Sequence, residues 1–268
     1  MLFLAHGMIT STQNPRVKLV RELMSRPKDR RAAESFVAEG VRLLEEAFQS
    51  GWSFQFVLVA EDLSARGRKL ADELQSRGIT VEQVSTGVLN AVSETENSQG
   101  ILAVLEHQAL PIPEPLTFAL IPDQVRDPGN LGTLLRTAAA AGVQAVLLPP
   151  GTVDAFSPKV VRAGMGAHFR LPVRSMTWDA IRSLCTESQL KVLVADMDGP
   201  DYWQSDLQQP LALVIGGEAE GPSAPALALA HGKISIPMPG GSESLNAAVA
   251  GAVLMFETVR QRRDRTGR

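Results

Sequence analysis

The sequence predicts an α/β protein: a carboxyl-terminal domain on a mostly parallel sheet, preceded by a smaller α/β domain. Three observations carry that class. Strand-like and helix-like stretches alternate along nearly the whole chain, the pattern of βα units. The runs at 145–148, 191–196 and 211–216 are almost continuously apolar, as parallel strands covered on both faces are. Between the two parts, Pro111, Pro113 and Pro115 fall within five residues, which rules out a helix and reads as a semi-rigid linker. The expected boundaries are 8–106, a linker at 107–116, and 117–268. A length of 268 residues suits two domains.

In the first domain Val17 to Met24 is expected to be a helix, followed by a basic, polar stretch from Arg26 to Arg31. Phe36 to Gly40 reads as a short strand and Val41 to Gln49 as a helix with Leu44, Ala47 and Phe48 on its apolar side. Phe54 to Ala60 is a strand, Leu63 to Arg77 a helix stopped by Gly78, and Thr80–Val84 and Gln99–Leu105 are further strands.

In the second domain strands are expected at 116–121, 145–148, about 168–173, 191–196, 211–216 and 233–238. Helices are expected at 130–141, near 158–164, at 177–187 and 222–230, and finally from Leu245 to about Arg262. The first is the most informative. Asp127-Pro-Gly breaks regular structure, Asn130 stands where a helix N-cap belongs, and Leu131, Leu134, Leu135 and Ala138 form a buried stripe. Arg136 falls on the other side of that helix. In the last helix Leu245, Ala248, Val249, Ala252, Val253 and Phe256 are expected to form the inward stripe.

A net charge of −3 argues against a generally basic nucleic-acid binder, yet the charge is unevenly spread. From Arg16 to Arg42 there are eight Lys or Arg against four acids, and the last nine residues hold five Arg and one Asp. Such ends suit either a local phosphate-binding surface or a solvated helix face with a frayed tail. One cysteine, Cys185, excludes an internal disulfide, and four histidines show no metal-ligand spacing. No metal is expected. The start has no basic region before its apolar run and makes a poor signal peptide, with Met8 a second candidate start. No apolar run approaches a membrane span, so a cytoplasmic protein is expected.

Three polar clusters interrupt the second domain at strand carboxyl ends, where open α/β sheets bind ligands. Besides Asp127 to Gly142, they are Leu213-Val-Ile-Gly-Gly-Glu218-Ala-Glu-Gly-Pro222 and Ile234-Ser-Ile-Pro-Met-Pro-Gly-Gly-Ser-Glu-Ser244-Leu-Asn246. Gly216, Gly217 and Gly221 allow close backbone approach to a ligand, although this cluster by itself reads more readily as a tight turn with a solvated glutamate. Ser244 or Asn246 can simply cap the last helix, and Ser244 lacks the context of a hydrolase nucleophile. Neither a P-loop nor a dinucleotide fingerprint is present.

Taken together and in this order, the clusters resemble the three motifs of the SpoU (TrmH-like) ribose methyltransferases of the SPOUT class. Asp127-Pro-Gly-Asn130-Leu-Gly132-Thr-Leu-Leu-Arg136-Thr-Ala looks like the first motif, Gly216-Gly-Glu218-Ala-Glu-Gly221 like the second, and Ile236-Pro-Met with Ser244-Leu-Asn246 like the third. Asn14-Pro-Arg-Val-Lys18, Phe36-Val-Ala-Glu-Gly40 and Gln99-Gly-Ile-Leu-Ala103 resemble the family's L30e-like substrate-binding domain. Ala219, Pro222 and Ala247 depart from the commoner glycine, leucine and valine.

The resemblance implies a trefoil-knotted SPOUT domain and a homodimer with the last helix near its interface. It implies S-adenosyl-L-methionine as cofactor, held around Gly216, Gly217, Ile236, Met238 and Leu245. The polar set it carries over is Arg136, Asn130, Glu218, Ser244 and Asn246. The reaction implied is methyl transfer to a ribose 2′-hydroxyl of structured RNA, ribosomal RNA ahead of transfer RNA. A non-catalytic RNA-binding assembly factor on the same fold is the alternative, and the intact polar set argues against it. The basic segment offers Arg16, Lys18, Arg21, Arg30 and Arg31 as the RNA-docking set. Using a guanidinium as a base near neutral pH costs roughly 8 kcal/mol, so Arg136 suits a charged clamp better.

Overall fold

A computed structural model of the chain describes residues 7–95, 98–217, 221–241 and 243–266. The chain divides into two compact units, Met1–Gln108 with Phe156–Phe169, and Ala109–Ala155 with Arg170–Arg268.

The first unit contains α1 (Pro15–Ser25), α2 (Pro27–Ala33), β1 (Ser35–Glu39), α3 (Val41–Gln49), β2 (Phe54–Ala60), α4 (Ala65–Ser76), β3 (Val81–Val84), α5 (Thr86–Asn90) and β4 (Ile101–Glu106). Its sheet runs β1-β4-β2-β3; β4 is antiparallel to both neighbours, and β2 and β3 are parallel. Val17, Val20, Leu23 and Met24 of α1 join Leu58, Leu102 and Val104 in one core, which is why the 3–4 spacing in α1 is legible. The expected polar stretch from Arg26 is instead the short helix α2. Pro27 opens it at a position where its missing N–H costs nothing and its fixed φ suits a helix; Glu34 closes it in the left-handed region, at φ 46°. Phe156 and Phe169 belong to this unit because their rings pack on Phe36 and Trp52, with centroids 5.0 and 5.2 Å apart.

The second unit contains β5 (Phe118–Asp123), α6 (Pro128–Ala140), β6 (Ala145–Leu148), β7 (Val173–Ser175), α8 (Trp178–Glu187), β8 (Lys191–Ala195), β9 (Leu211–Gly216), α9 (Ala224–Leu229), β10 (Gly232–Ile234) and α10 (Ala247–Thr266); α7 (Pro158–Gly164) lies in the segment grouped with the first unit. The sheet order is β10-β8-β9-β5-β6-β7, and every pairing is parallel. Its β6, β8 and β9 are the apolar runs that predict a parallel sheet. A core of Ala119, Ile121, Val192, Val194, Ala212 and Val214 covers one face with Ile181 and Leu229 of α8 and α9.

Three expectations are corrected here. The strand near 168–173 is a short 3₁₀ turn, Ala167–Phe169, and a strand starting at Val173; Met165 and Gly166 both take positive φ (46° and 86°), which ends regular structure before the turn. The strand at 233–238 stops at Ile234, short of Pro237, which has no N–H for the ladder. Finally, α10 faces the core with a stripe that shares only Ala248 with the expected one. Ala247, Ala248, Leu254, Met255, Thr258 and Gln261 are buried, whereas Val249 is 48% and Phe256 49% exposed. Gly251 packs against Leu134 of α6, where any Cβ would meet the Leu134 Cδ2, so a glycine sets the inward face.

The end of α10 is anchored through polar groups. The Leu207 N–H donates to Gln261 Oε1 at 3.0 Å, and the Arg262 Nη2 donates to the carbonyls of Thr117 and Gln209 at 2.9 and 2.8 Å. Burial pulls the Arg262 guanidinium below the usual guanidinium range. Arg260 pairs with Glu257 at 2.8 Å. At least two of the terminal arginines are therefore structural and do not form a free basic tail.

Candidate active site

At the carboxyl ends of β8, β9 and β10 lies a cavity of about 260 Å³. Gly216, Gly217 and Gly221 line one side, Ile236 and Met238 another, and Ser244 and Leu245 a third. All five residues expected to hold a cofactor thus meet at one cavity, together with Ser244. Strand β8 and the turn after it contribute Ala195, Asp196 and Met197, none of which belongs to the sequence motifs. The lining is mostly aliphatic, with exposed glycine backbone and few polar side chains, the usual character of a small-molecule site.

The glycines of the second cluster have a more local reason than ligand approach. A Cβ on Gly217 would lie 2.5 Å from the carbonyl oxygen of Gln124, and one on Gly216 would lie 2.8 Å from the Gly221 carbonyl carbon. Gly217 and Gly221 also bridge one another across the loop. Backbone therefore packs on backbone here, and that packing shapes the cavity wall. Asp123, fully buried at the end of β5, holds the loop's exit by accepting the Ser223 N–H at 2.6 Å.

The expected cap of α6 is corrected. Asp127 is the N-cap; its Oδ1 accepts the Asn130 N–H at 2.8 Å. Pro128 takes the first helical position, so the cap falls one residue before the proline and Asn130 lies inside the first turn. The Asn130 side chain is therefore not the cap, and its Oδ1 accepts from Asn246 Nδ2 at 3.0 Å. Asn246 in turn caps α10: its Oδ1 accepts the N–H of Ala248 at 2.9 Å and of Val249 at 3.3 Å. The structure thus ties the first and third clusters through one amide pair that joins two helix starts. Neither asparagine lines the cavity.

Arg136 is exposed on α6, outside the cavity lining, and has no hydrogen-bond or ion-pair partner among the described residues. Glu218, expected to join this set, lies outside the described residues, as do Ala219 and Glu220. In the first unit Lys18, Arg21 and Arg31 are exposed. Arg16 is half-buried, paired with Glu82 at 2.7 Å and stacked over Phe56. Arg30 does not belong with them: it is 6% exposed, and its Nη1 donates to the carbonyls of Leu23 and Met24 at the end of α1. Helix α2 folds back so that this arginine satisfies carbonyls that α1 leaves open.

Cys185 is buried, and burial pushes its thiol up to about 11, which leaves it protonated and unreactive near neutrality. Among the described residues no group of three or more His, Cys, Asp or Glu is placed to hold a metal. None of the described helices is long and apolar enough to cross a membrane.

The SpoU rRNA Methylase family matches residues 117–256, the stretch that contains all three clusters. The chain belongs to that family. The MRM3-like substrate binding domain matches residues 14–103. Among SpoU relatives, the 23S rRNA (guanosine(2553)-2′-O)-methyltransferase RlmP of Bacillus subtilis is 35% identical, over 92% of this chain and 97% of its own. The mitochondrial rRNA methyltransferase 3 of Homo sapiens is 31% identical over 85% of this chain and 68% of its own. An AdoMet-bound rRNA methyltransferase from Sinorhizobium meliloti superposes with a TM-score of 0.84 at 31% identity, covering 95% of this chain and 97% of that one. The SpoU membership agrees with the parallel six-stranded sheet.

Proposed function

We propose that this protein transfers a methyl group from S-adenosylmethionine to a ribose 2′-hydroxyl of ribosomal RNA. The observation that carries the reading is the convergence of the second and third clusters on one cavity, with the first cluster tied to it through Asn130 and Asn246. Relatives named for 2′-O-methylation of 23S rRNA and a neighbour solved with AdoMet support the substrate and the cofactor.

The lining fits that cofactor. Ile236, Met238 and Leu245 offer apolar surface for an adenine ring and an aliphatic chain, and the Gly216–Gly217 backbone offers polar groups without side-chain bulk. Bound there, the cofactor supplies an electrophilic methyl on a sulfonium sulfur. The chain's own work is positioning and charge. Asn130 and Asn246 hold the starts of α6 and α10 in register. Arg136 keeps its charge, grips a target phosphate in bidentate fashion and stabilises negative charge gathering on the 2′-oxygen. Glu218 completes this polar set, as its place in the second motif implies. Lys18, Arg21 and Arg31, with Arg16 beside them, dock the RNA.

The protein acts as a homodimer in the cytoplasm, with Arg136 beside the partner's pocket and the sheet threaded as the family's trefoil knot. Support for the dimer comes from α10, which is apolar on two sides: one is buried, and the other carries Val249 and Phe256, each about half exposed. A second apolar side opposite the buried one suits an interface. Phe256→Glu is expected to convert dimer to monomer in sedimentation velocity, with the circular dichroism spectrum unchanged; a persistent dimer would remove α10 from the interface.

The activity is tested by mass spectrometric mapping of ribose methylation in RNA from cells with and without the gene. One ribose methyl group lost from large-subunit rRNA is the expected result. An unaltered rRNA map with a loss in transfer RNA would reassign the substrate.

A further inference from the structure

Of the described side chains that line the cavity, only Asp196 and Ser244 carry oxygen; the rest are Gly, Ala, Pro, Ile, Leu or Met. Asp196 follows the last residue of β8 and is held from several directions. Its backbone N–H donates to the Ile234 carbonyl at 3.0 Å, and its carbonyl accepts the Gly199 N–H at 3.1 Å. Gly199 packs so tightly on β10 that a Cβ there would lie 2.6 Å from the Ile234 nitrogen. Within this pinned turn, Asp196 Oδ1 accepts the Asp198 N–H at 3.0 Å and Oδ2 faces Lys233 Nζ at 2.8 Å. The Lys233 ammonium, and then the Asp198 N–H, hold the carboxyl below the usual carboxylate range.

An ionised carboxylate only accepts, and it offers about four lone-pair sites. Two are occupied, one by the Asp198 N–H of the turn and one by Lys233 on β10, and two remain for a ligand in the cavity. The group they meet must be a hydrogen-bond donor. Building on the reading of this cavity as an S-adenosylmethionine site, we propose that Asp196 recognises the vicinal hydroxyls of the cofactor's ribose. The sulfonium and the ammonium of the cofactor are poorer matches. A sulfonium has no hydrogen to donate, and Lys233, which pairs with Asp196 at 2.8 Å and reaches Asp198 at 3.5 Å, already places one ammonium at this carboxylate, whereas hydrogen-bond acceptance by the carboxylate survives the pairing. Two adjacent hydroxyls also match two acceptor sites on one rigid group.

Equilibrium binding by calorimetry tests this with S-adenosylmethionine, S-adenosylhomocysteine and the 2′-deoxy and 3′-deoxy forms of S-adenosylhomocysteine, on the full chain and on Asp196→Asn. The full chain is expected to lose about tenfold or more in affinity when either hydroxyl is removed. Asp196→Asn is expected to weaken both natural ligands to a similar degree and to be nearly indifferent to the deoxy forms. Full affinity of the unaltered protein for both deoxy forms would overturn the assignment, and does so even where the variant fails to fold. Weakened binding of S-adenosylmethionine alone would overturn it too, by placing Asp196 at the sulfonium. If the unaltered protein binds neither natural ligand, the failure lies with the cofactor reading itself.

Discussion

In the first unit the candidate RNA-binding groups stand on the outside of helices; in the second the candidate cofactor-binding groups stand at the ends of parallel strands. The first arrangement needs only long cationic side chains on a solvated face, and individual positions are interchangeable so long as the charge remains. The second depends on backbone: Gly216 and Gly217 abut neighbouring backbone within 3 Å of where a Cβ would be, and Asn246 holds a helix start and Asn130 at once. Substitutions in the two places should therefore fail in different ways, graded on one side and abrupt on the other.

The largest effect is expected at Arg136. Arg136→Lys should lower turnover about 10²- to 10³-fold, the scale of losing a placed charge-stabilising donor, with the cofactor dissociation constant unchanged in calorimetry because the role proposed for Arg136 is at the RNA phosphate and the 2′-oxygen and not at the cofactor. Near-normal turnover would remove the bidentate role.

A smaller, graded effect is expected in the first unit. Replacing Lys18, Arg21 and Arg31 together by Ala should weaken RNA binding and flatten the salt dependence by nearly one in log–log slope for each phosphate that is no longer neutralised. Arg30→Ala is the contrast. Its guanidinium closes the end of α1, so the midpoint of thermal unfolding should fall while the salt slope stays as it was. Equal slopes for the triple variant and the parent would move the RNA surface elsewhere.

At Asn246 the expected loss is about 1 kcal/mol in chemical denaturation for Asn246→Ala, the usual cost of removing a helix cap. Asn246→Asp should recover most of that stability, since its oxygen still caps α10, but not activity, since it cannot donate to Asn130. Recovery of activity by Asp would show that the bond to Asn130 is dispensable.

The smallest effect concerns pH. The folded-state value of Cys185 is raised, to about 11 from an ordinary 9.0. The protonated thiol is the form that folding favours, so its contribution to stability is complete below about 9 and is lost as pH rises through 11. Cys185→Ala should therefore flatten the alkaline limb of the stability profile over that window. An identical profile would leave the thiol without a part in it.

Much of the fold is legible in the chain. The apolar runs of β6, β8 and β9 announce a parallel sheet because a strand buried on both faces needs no alternation. Leu131, Leu134, Leu135 and Ala138 do form the buried stripe of α6, since a single-sided apolar pattern has one way to face a core. The same logic fails in α10. Its apolar residues surround the helix, so spacing alone cannot rank the faces; Gly251 packing on Leu134 does. The cap of α6 lies three residues upstream of its expected place at Asn130. Asp127 and Asn130 are both good caps, and the proline after Asp127 decides between them.

Arg30 and Arg31 are neighbours of one type, and only the return of α2 against α1 buries the first and exposes the second. Asp196 stands outside the three clusters, although it follows an apolar strand as they do, so no motif points to it. What the sequence by itself determined was the element types, the parallel sheet and the three clusters, because periodicity and turn chemistry are local. Tertiary structure alone decided which face of a helix is buried, which arginine reaches solvent, and that Asp196 meets Ser244 in one cavity. Those outcomes depend on backbone approaches between residues far apart in the chain, which no local pattern encodes.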